Sequence, residues 1–197
     1  MKSRVFVPAA CCLLATSTAL ATPPVGVTTS FERIESVSYS TVSTTVAGVE
    51  QTSSEWRVGL GTGGGYSYSM PRTTLEYAWQ SGLSVGFCIG LSLSWSKTKV
   101  STNASLIEPR IGYIFELGSD VLFWPRLGLT LRELKGPAVL DASHTALTLE
   151  LPFMLMPGQQ LGSPTVGPFL DLGLGGGKDD VDQKVSEFGL AVGFQFR

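Results

Sequence analysis

The chain has 197 residues, a formal charge of −2 and 15% charged residues, against about 25% in soluble domains. That balance gives no general attraction to nucleic acid, and the length suffices for one domain with a sizeable core. Beyond the N-terminus no apolar run reaches the ~18 residues that a membrane helix needs.

Residues 1–21 read as a signal peptide. Lys2 and Arg4 supply a positive end, residues 5–14 a short apolar region, and Ala19-Leu20-Ala21 a small-x-small cleavage pattern. A lipoprotein signal at Cys11 or Cys12 is the alternative, but Pro8-Ala9-Ala10 lacks the usual leucine. After cleavage only Cys88 is left, so no intramolecular disulfide can form, and it reads as a small packing residue. Residues 22–54 are rich in Ser, Thr and Val and are expected to form an exposed N-terminal extension. Another strand pair there, giving ten strands in all, is the alternative.

From Glu55 onward a two-residue period recurs and helical stripes are missing. The first strand, 55–62, puts Trp56, Val58 and Leu60 on one face. The second, 72–80, aligns Leu75, Tyr77 and Trp79. The third, 82–96, alternates Leu83, Val85, Phe87, Ile89, Leu91, Leu93 and Trp95 with Ser, Gly and Cys88. The fourth, 106–117, aligns Ile107, Pro109, Ile111, Tyr113 and Phe115. The fifth, 120–132, aligns Val121, Phe123, Pro125, Leu127, Leu129 and Leu131. The sixth, 144–156, aligns Leu147, Leu149, Leu151, Phe153 and Leu155. The seventh, 165–175, aligns Val166, Pro168, Leu170, Leu172 and Leu174. The eighth, 185–196, aligns Phe188, Leu190, Val192, Phe194 and Phe196. Short connections at one end and longer polar ones at the other describe an all-β, eight-stranded, antiparallel up-and-down barrel over 55–197.

Alternation alone does not say whether the apolar face meets a protein core or lipid. Length favours lipid. Seven apolar positions span ~43 Å of strand at ~3.3 Å per residue. Tilted, that covers the ~25 Å apolar band of an outer-membrane barrel. Charge agrees. Arg57, Glu76, Glu108, Arg110, Arg126, Glu150, Asp171 and Glu187 all fall by parity on the other face. There they can pair inside a narrow barrel, with Leu83, Val85, Phe87, Ile89, Leu91, Leu93, Leu127, Leu129, Leu149, Leu151, Leu170, Leu172, Leu190 and Val192 toward lipid. Aromatic residues mark strand ends, as interfacial belts do. Trp56, Trp79, Phe115, Phe123, Phe153 and Phe196 are expected at one rim, Trp95 and Phe188 at the other. Pro109, Pro125, Pro152 and Pro168 remove ladder donors and are expected at bulges or breaks that would shift parity beyond them.

With these features the chain resembles the small outer-membrane barrels of the OmpA/OmpX type over 55–197. Its last strand, "EFGLAVGF" at 187–194, resembles the C-terminal signal that the barrel-assembly machinery reads, although Gln195-Phe196-Arg197 follows. The resemblance implies a Gram-negative outer membrane, with the C-terminus and short turns in the periplasm. It implies a monomer in contact with outer-membrane lipids, lipopolysaccharide and the assembly machinery.

No cofactor, metal or nucleic-acid site is expected. His144 is the one histidine. Lipid A deacylases carry a serine two residues after their histidine, where this chain has Ala146. Asp179, Asp180 and Asp182 lack the closing glutamate of an EF-hand, and the 61–65 glycine run lacks the lysine of a phosphate loop. A non-enzymatic outer-membrane protein acting through its loops is the leading expectation. An outer-membrane enzyme acting on lipid or lipopolysaccharide, and a soluble barrel binding an apolar ligand, stay open as alternatives.

Overall fold

The computed structural model describes residues 25–60, 72–93, 103–136, 139–156, 162–178 and 181–196, without the side chains at 35, 55, 57–60, 91–93, 103–104, 134–136, 139–142, 178 and 181. The expected signal peptide, Trp95, Asp179, Asp180, the 61–65 glycine run and the side chains of Arg57, Leu91 and Leu93 lie outside the described residues.

Among the described residues twelve strand segments follow one another: β1 (Gly26–Val46), β2 (Val49–Leu60), β3 (Arg72–Ala78), β4 (Leu83–Leu93), β5 (Asn103–Tyr113), β6 (Phe115–Glu116), β7 (Val121–Phe123), β8 (Arg126–Gly136), β9 (Val139–Glu150), β10 (Phe153–Leu155), β11 (Gly162–Lys178) and β12 (Val181–Phe196). They make eight antiparallel staves. The pairs β2 and β3, β5 and β6, β7 and β8, and β9 and β10 each share one stave. The sheet closes on itself because β1 pairs with β12 on one side and with β2 and β3 on the other. Closure of the β1–β12 seam removes the free edges of an open sheet, while among the described residues β2 pairs with β1 alone.

Two corrections to the expected boundaries follow. Gly26–Val46, expected in an extension, is the first stave and closes the barrel. Segment 55–62, expected as the first strand, belongs to β2. That strand runs back down beside β1 after a tight turn at Ala47 (φ 51°) and Gly48 (φ 81°). Two successive positive φ values make the hairpin turn whose twist suits the flanking strands. The stave count is eight, and the ten-strand alternative falls away.

The prolines do not shift the register. Ile107 faces Leu131 and Arg110 faces Gly128 on either side of Pro109. Glu150 faces Phe169 and Phe153 faces Val166 on either side of Pro152. The missing donors end strand segments at 124–125 and 151–152, but neighbouring groups keep the alignment. Tyr113 N donates to Pro125 O (3.0 Å) and Trp124 N to Pro152 O (2.9 Å). Parity therefore survives, where a shift was expected.

The largest register shift among the described residues lies elsewhere. In β1, Phe31 faces Phe194 and Glu35 faces Val192, so three residues of β1 stand opposite the single residue 193. Arg33 takes φ 52° within this bulge. Phe31 and Ile34 point outward, and the consecutive residues Glu32 and Arg33 both point inward, 5% and 2% exposed. A bulge re-aims side chains in this way.

At the short-turn end the interior is closed by Ala78, Ile114, Leu122, Trp124, Met154 and Met156. Trp124 Nε1 donates to Ser84 Oγ at 2.8 Å, which satisfies the indole's polar atom. The turn between β3 and β4 depends on Gly82, at φ 88°, whose carbonyl accepts from Ile114 N (2.8 Å). A Cβ there would lie 2.8 Å from Ile114 O. Gly82→Ala is expected to lower stability by more than about 1 kcal/mol, read as a lower urea midpoint in detergent. An unchanged midpoint would refute this account of the turn.

Candidate functional site: a charged interior inside an apolar wall

Along β3 the alternation is strict. Arg72, Thr74, Glu76 and Ala78 are buried, while Thr73, Leu75, Tyr77 and the following Trp79 are exposed. The same parity runs round the barrel. Among the described residues, five arginines (Arg33, Arg72, Arg110, Arg126, Arg132) and six carboxylates (Glu32, Glu76, Glu108, Glu150, Asp171, Glu187) are buried. Of the eight charges expected inside, all but Arg57 are in this set, and Arg57's side chain is outside the description.

Arg33, Arg72, Arg110, Arg126, Glu32, Glu76, Glu108, Glu150 and Asp171 form one continuous cluster of ion pairs. Arg33 forks onto Asp171, with Nη1–Oδ2 at 2.8 Å and Nη2–Oδ1 at 3.0 Å. Its guanidinium lies 3.8 Å above the Phe169 ring. Arg110 forks onto Glu32 at 2.7 and 2.9 Å and also pairs with Glu76. Arg72 binds Glu108 and reaches Asp171 at 3.3 Å. Arg126 pairs with Glu32 and lies 5.4 Å over the Trp124 ring. Thr130 Oγ1 donates to Glu108 at 2.8 Å, and Ser38 donates to Glu187.

Glu150 is the hub. Its two oxygens face four guanidinium groups: Arg33 at 3.1 Å, Arg72 at 3.5 Å, Arg110 at 3.2 Å and Arg126 at 3.1 Å. Buried charges persist only when paired and hydrogen-bonded. Planar arginine forks meet carboxylates at two points at once, which suits this crowded space.

Sequence reasoning missed several members. Arg72 and Arg132 share the parity of Glu76 and Arg126, so the signal was present. Trp124 has the inward parity of Arg126 but was passed over among the outward rings. Glu32 and Arg33 are adjacent, and no two-residue period places both inside; the bulge does.

Outside, the wall is apolar. Leu83, Val85, Phe87, Ile89, Leu127, Leu129, Leu149, Leu172, Leu190 and Val192 are exposed, and Leu151 and Leu170 are half-exposed. Rings gather at two levels. At the short-turn end Tyr113, Phe115, Phe123 and Phe153 form a run with centroids 4.7, 6.1 and 5.0 Å apart. Trp79 packs on Tyr77, and Phe196 on Phe31. Trp56 was expected at this rim. It packs instead on Tyr39 (5.2 Å) and Phe188 (6.2 Å) toward the long-loop end, because β2 descends from the 47–48 turn.

Above that level polar side chains enter the outward face, with Val46 and Val49 exposed at the hairpin tip. Thr41 pairs with Ser54 at 3.0 Å and Ser43 with Thr52 at 2.9 Å across the β1–β2 hairpin. On β5, β8 and β9, Ser105, Glu133 and Ser143 stand in one cross-strand row. His144 points the other way. It is 6% exposed, inside the barrel with Arg132, Thr130 and Glu187 around the same small cavity. Cys88 is fully buried on the inner face against Leu106. Among the described residues no cluster of His, Cys, Asp and Glu could hold a metal.

A closed eight-stranded antiparallel barrel with this inside-out distribution has the architecture of the small outer-membrane barrels of the OmpA/OmpX type. No family model and no curated relative matches the chain. Among solved structures it is similar to Neisserial surface protein A, with a TM-score of 0.52 and 11% identity over 87% of this chain and 96% of that one. It also aligns with Ail, the attachment invasion locus protein of Yersinia pestis, solved with the heparin analogue sucrose octasulfate, at a TM-score of 0.41 and 12% identity over 88% and 100% of the two chains. The likeness to the Neisserial protein concerns the fold.

Proposed function

We propose that this chain is an integral outer-membrane protein of a Gram-negative bacterium, non-enzymatic, which makes surface contacts through its long-loop end. The observation that carries this reading is the reversal of polarity. Five arginines and six carboxylates are enclosed, while Leu, Val, Ile and Phe cover the outside. A soluble barrel buries its apolar rows. In lipid the same rows are the favourable surface, and a closed barrel satisfies every ladder group internally.

The surrounding lipids, including lipopolysaccharide, are the natural neighbours of that wall. The assembly machinery would read β12 through residues 187–194. The polar β1–β2 hairpin above the Trp56 level supports a role at the outer surface. His144 is buried beside Arg132, Thr130 and Glu187, a setting that fits a packing role.

Membrane fractionation followed by electrophoresis without and with boiling tests the reading. The protein is expected in the outer-membrane fraction, migrating differently in the two conditions. Recovery in the soluble fraction with identical migration would overturn it.

A further inference from the structure

Inside the barrel, Glu187 on β12 faces Asp171 on β11 across one ladder and Ser40 on β1 across the other, while Arg132 on β8 faces His144 on β9. Glu187 is 2% exposed. Its Oε1 accepts a hydrogen bond from Ser38 Oγ. Its Oε2 accepts none from any group among the described residues. A buried carboxylate oxygen without a donor is costly, so the structure calls for a donor at this point.

Between these staves lies a cavity of about 10 Å³, close to the ~10–15 Å³ that one water molecule needs. Its polar wall is made by Glu187, Asp171, Arg132, His144 and Thr130, and an occupant must suit all five. Asp171 is held by Arg33 and Arg72, and Thr130 by Glu108 and Thr148. Glu187 Oε2 is therefore the acceptor that lacks a donor. Arg132 brings a guanidinium whose N–H groups only donate. A cation in this space would meet the Arg132 charge, and an anion those of Glu187 and Asp171, with no room to move away from either. A neutral molecule that both donates and accepts meets no such repulsion. The volume limits it to a single water.

We propose that this cavity is a binding site for one resident water, which donates to Glu187 Oε2 and accepts from Arg132. Bonds through an ordered water are nearly as favourable as direct ones. The water joins Glu187 to Arg132 and so ties β12, the stave at the seam, to β8 across the lumen. The site lies wholly inside the barrel and does not depend on what the outer wall meets.

A crystal structure of the full chain in detergent, at a resolution that shows ordered water, tests the site. A second crystal soaked in rubidium chloride reports on cations. The expected result is one fully occupied peak about 2.8 Å from Glu187 Oε2 and within hydrogen-bond reach of an Arg132 nitrogen, with no rubidium signal there. Glu187→Met, of similar length but without the acceptor, is expected to lose the peak. Ser40→Ala, opposite Glu187 but off the cavity wall, keeps it. A rubidium signal, an empty cavity with Glu187 Oε2 on a direct partner, or a peak that survives in Glu187→Met would overturn the proposal. If Glu187→Met does not fold, the two parent crystals decide.

Discussion

Glu150→Ala is expected to unfold at a much lower urea concentration than the parent, corresponding to a loss of about 3–5 kcal/mol. The carboxylate faces Arg33, Arg72, Arg110 and Arg126 at once. Removing it leaves four buried guanidinium groups that have lost a shared partner and repel each other. Their remaining partners, Glu32, Glu108 and Asp171, are already engaged. Glu150→Gln keeps the shape and an accepting oxygen, so its loss is smaller than that of the alanine variant though still measurable. Urea titration in detergent or lipid vesicles, read by tryptophan fluorescence, gives both values. A parent-like midpoint for Glu150→Ala would mean that the interior cluster contributes little to stability.

The second large effect concerns the opposite face. Leu129→Arg places a charge between Leu127 and Leu131, opposite Leu147, in the middle of the apolar wall. In a bilayer this costs about 2–4 kcal/mol at mid-depth, falling to about 0–1 near the interface. Glu133→Arg, four residues along the same strand on the same face, samples the interface. Folding into lipid vesicles is therefore expected to be strongly impaired for Leu129→Arg and close to normal for Glu133→Arg. Equal behaviour of the two variants would show that the wall does not meet acyl chains.

Much of this architecture was legible because strand period and solvent reversal act on every residue of a stave. The parity that put Glu76, Glu108, Arg110, Arg126, Glu150, Asp171 and Glu187 on one face needs only the pleat. Its persistence past Pro109 and Pro152 reflects the ladder on either side, which holds the register while one donor is missing. What was hidden has one local cause. The first stave carries Ser and Thr on its inner face (Thr28, Ser30, Ser36, Ser38, Ser40), so its polarity contrast is weak. Its single strongly charged pair, Glu32-Arg33, falls at the bulge, where the period breaks. Without that stave, β2 was taken as the first strand and Trp56 was placed at the wrong rim. The misplacement and the missed Glu32 and Arg33 are thus one error, whereas Arg72 and Arg132 carried a readable parity. The hub at Glu150 was legible as a residue but not as a hub, because two of its four cations, Arg33 and Arg72, had not been placed inside.

The bulge also bears on how the molecule comes together. It sits on the stave made first, and that stave pairs with the one made last. Arg33 binds Asp171, 138 positions away along the chain, and Glu32 binds Arg126 across 94. Contacts of such separation form late and slowly. Until the seam between β1 and β12 zips shut, the cations and anions of the lumen stay partly unmatched, which penalises any half-rolled intermediate. Roll-up and charge matching are therefore expected to be coupled, with the β1–β12 seam as the closing step.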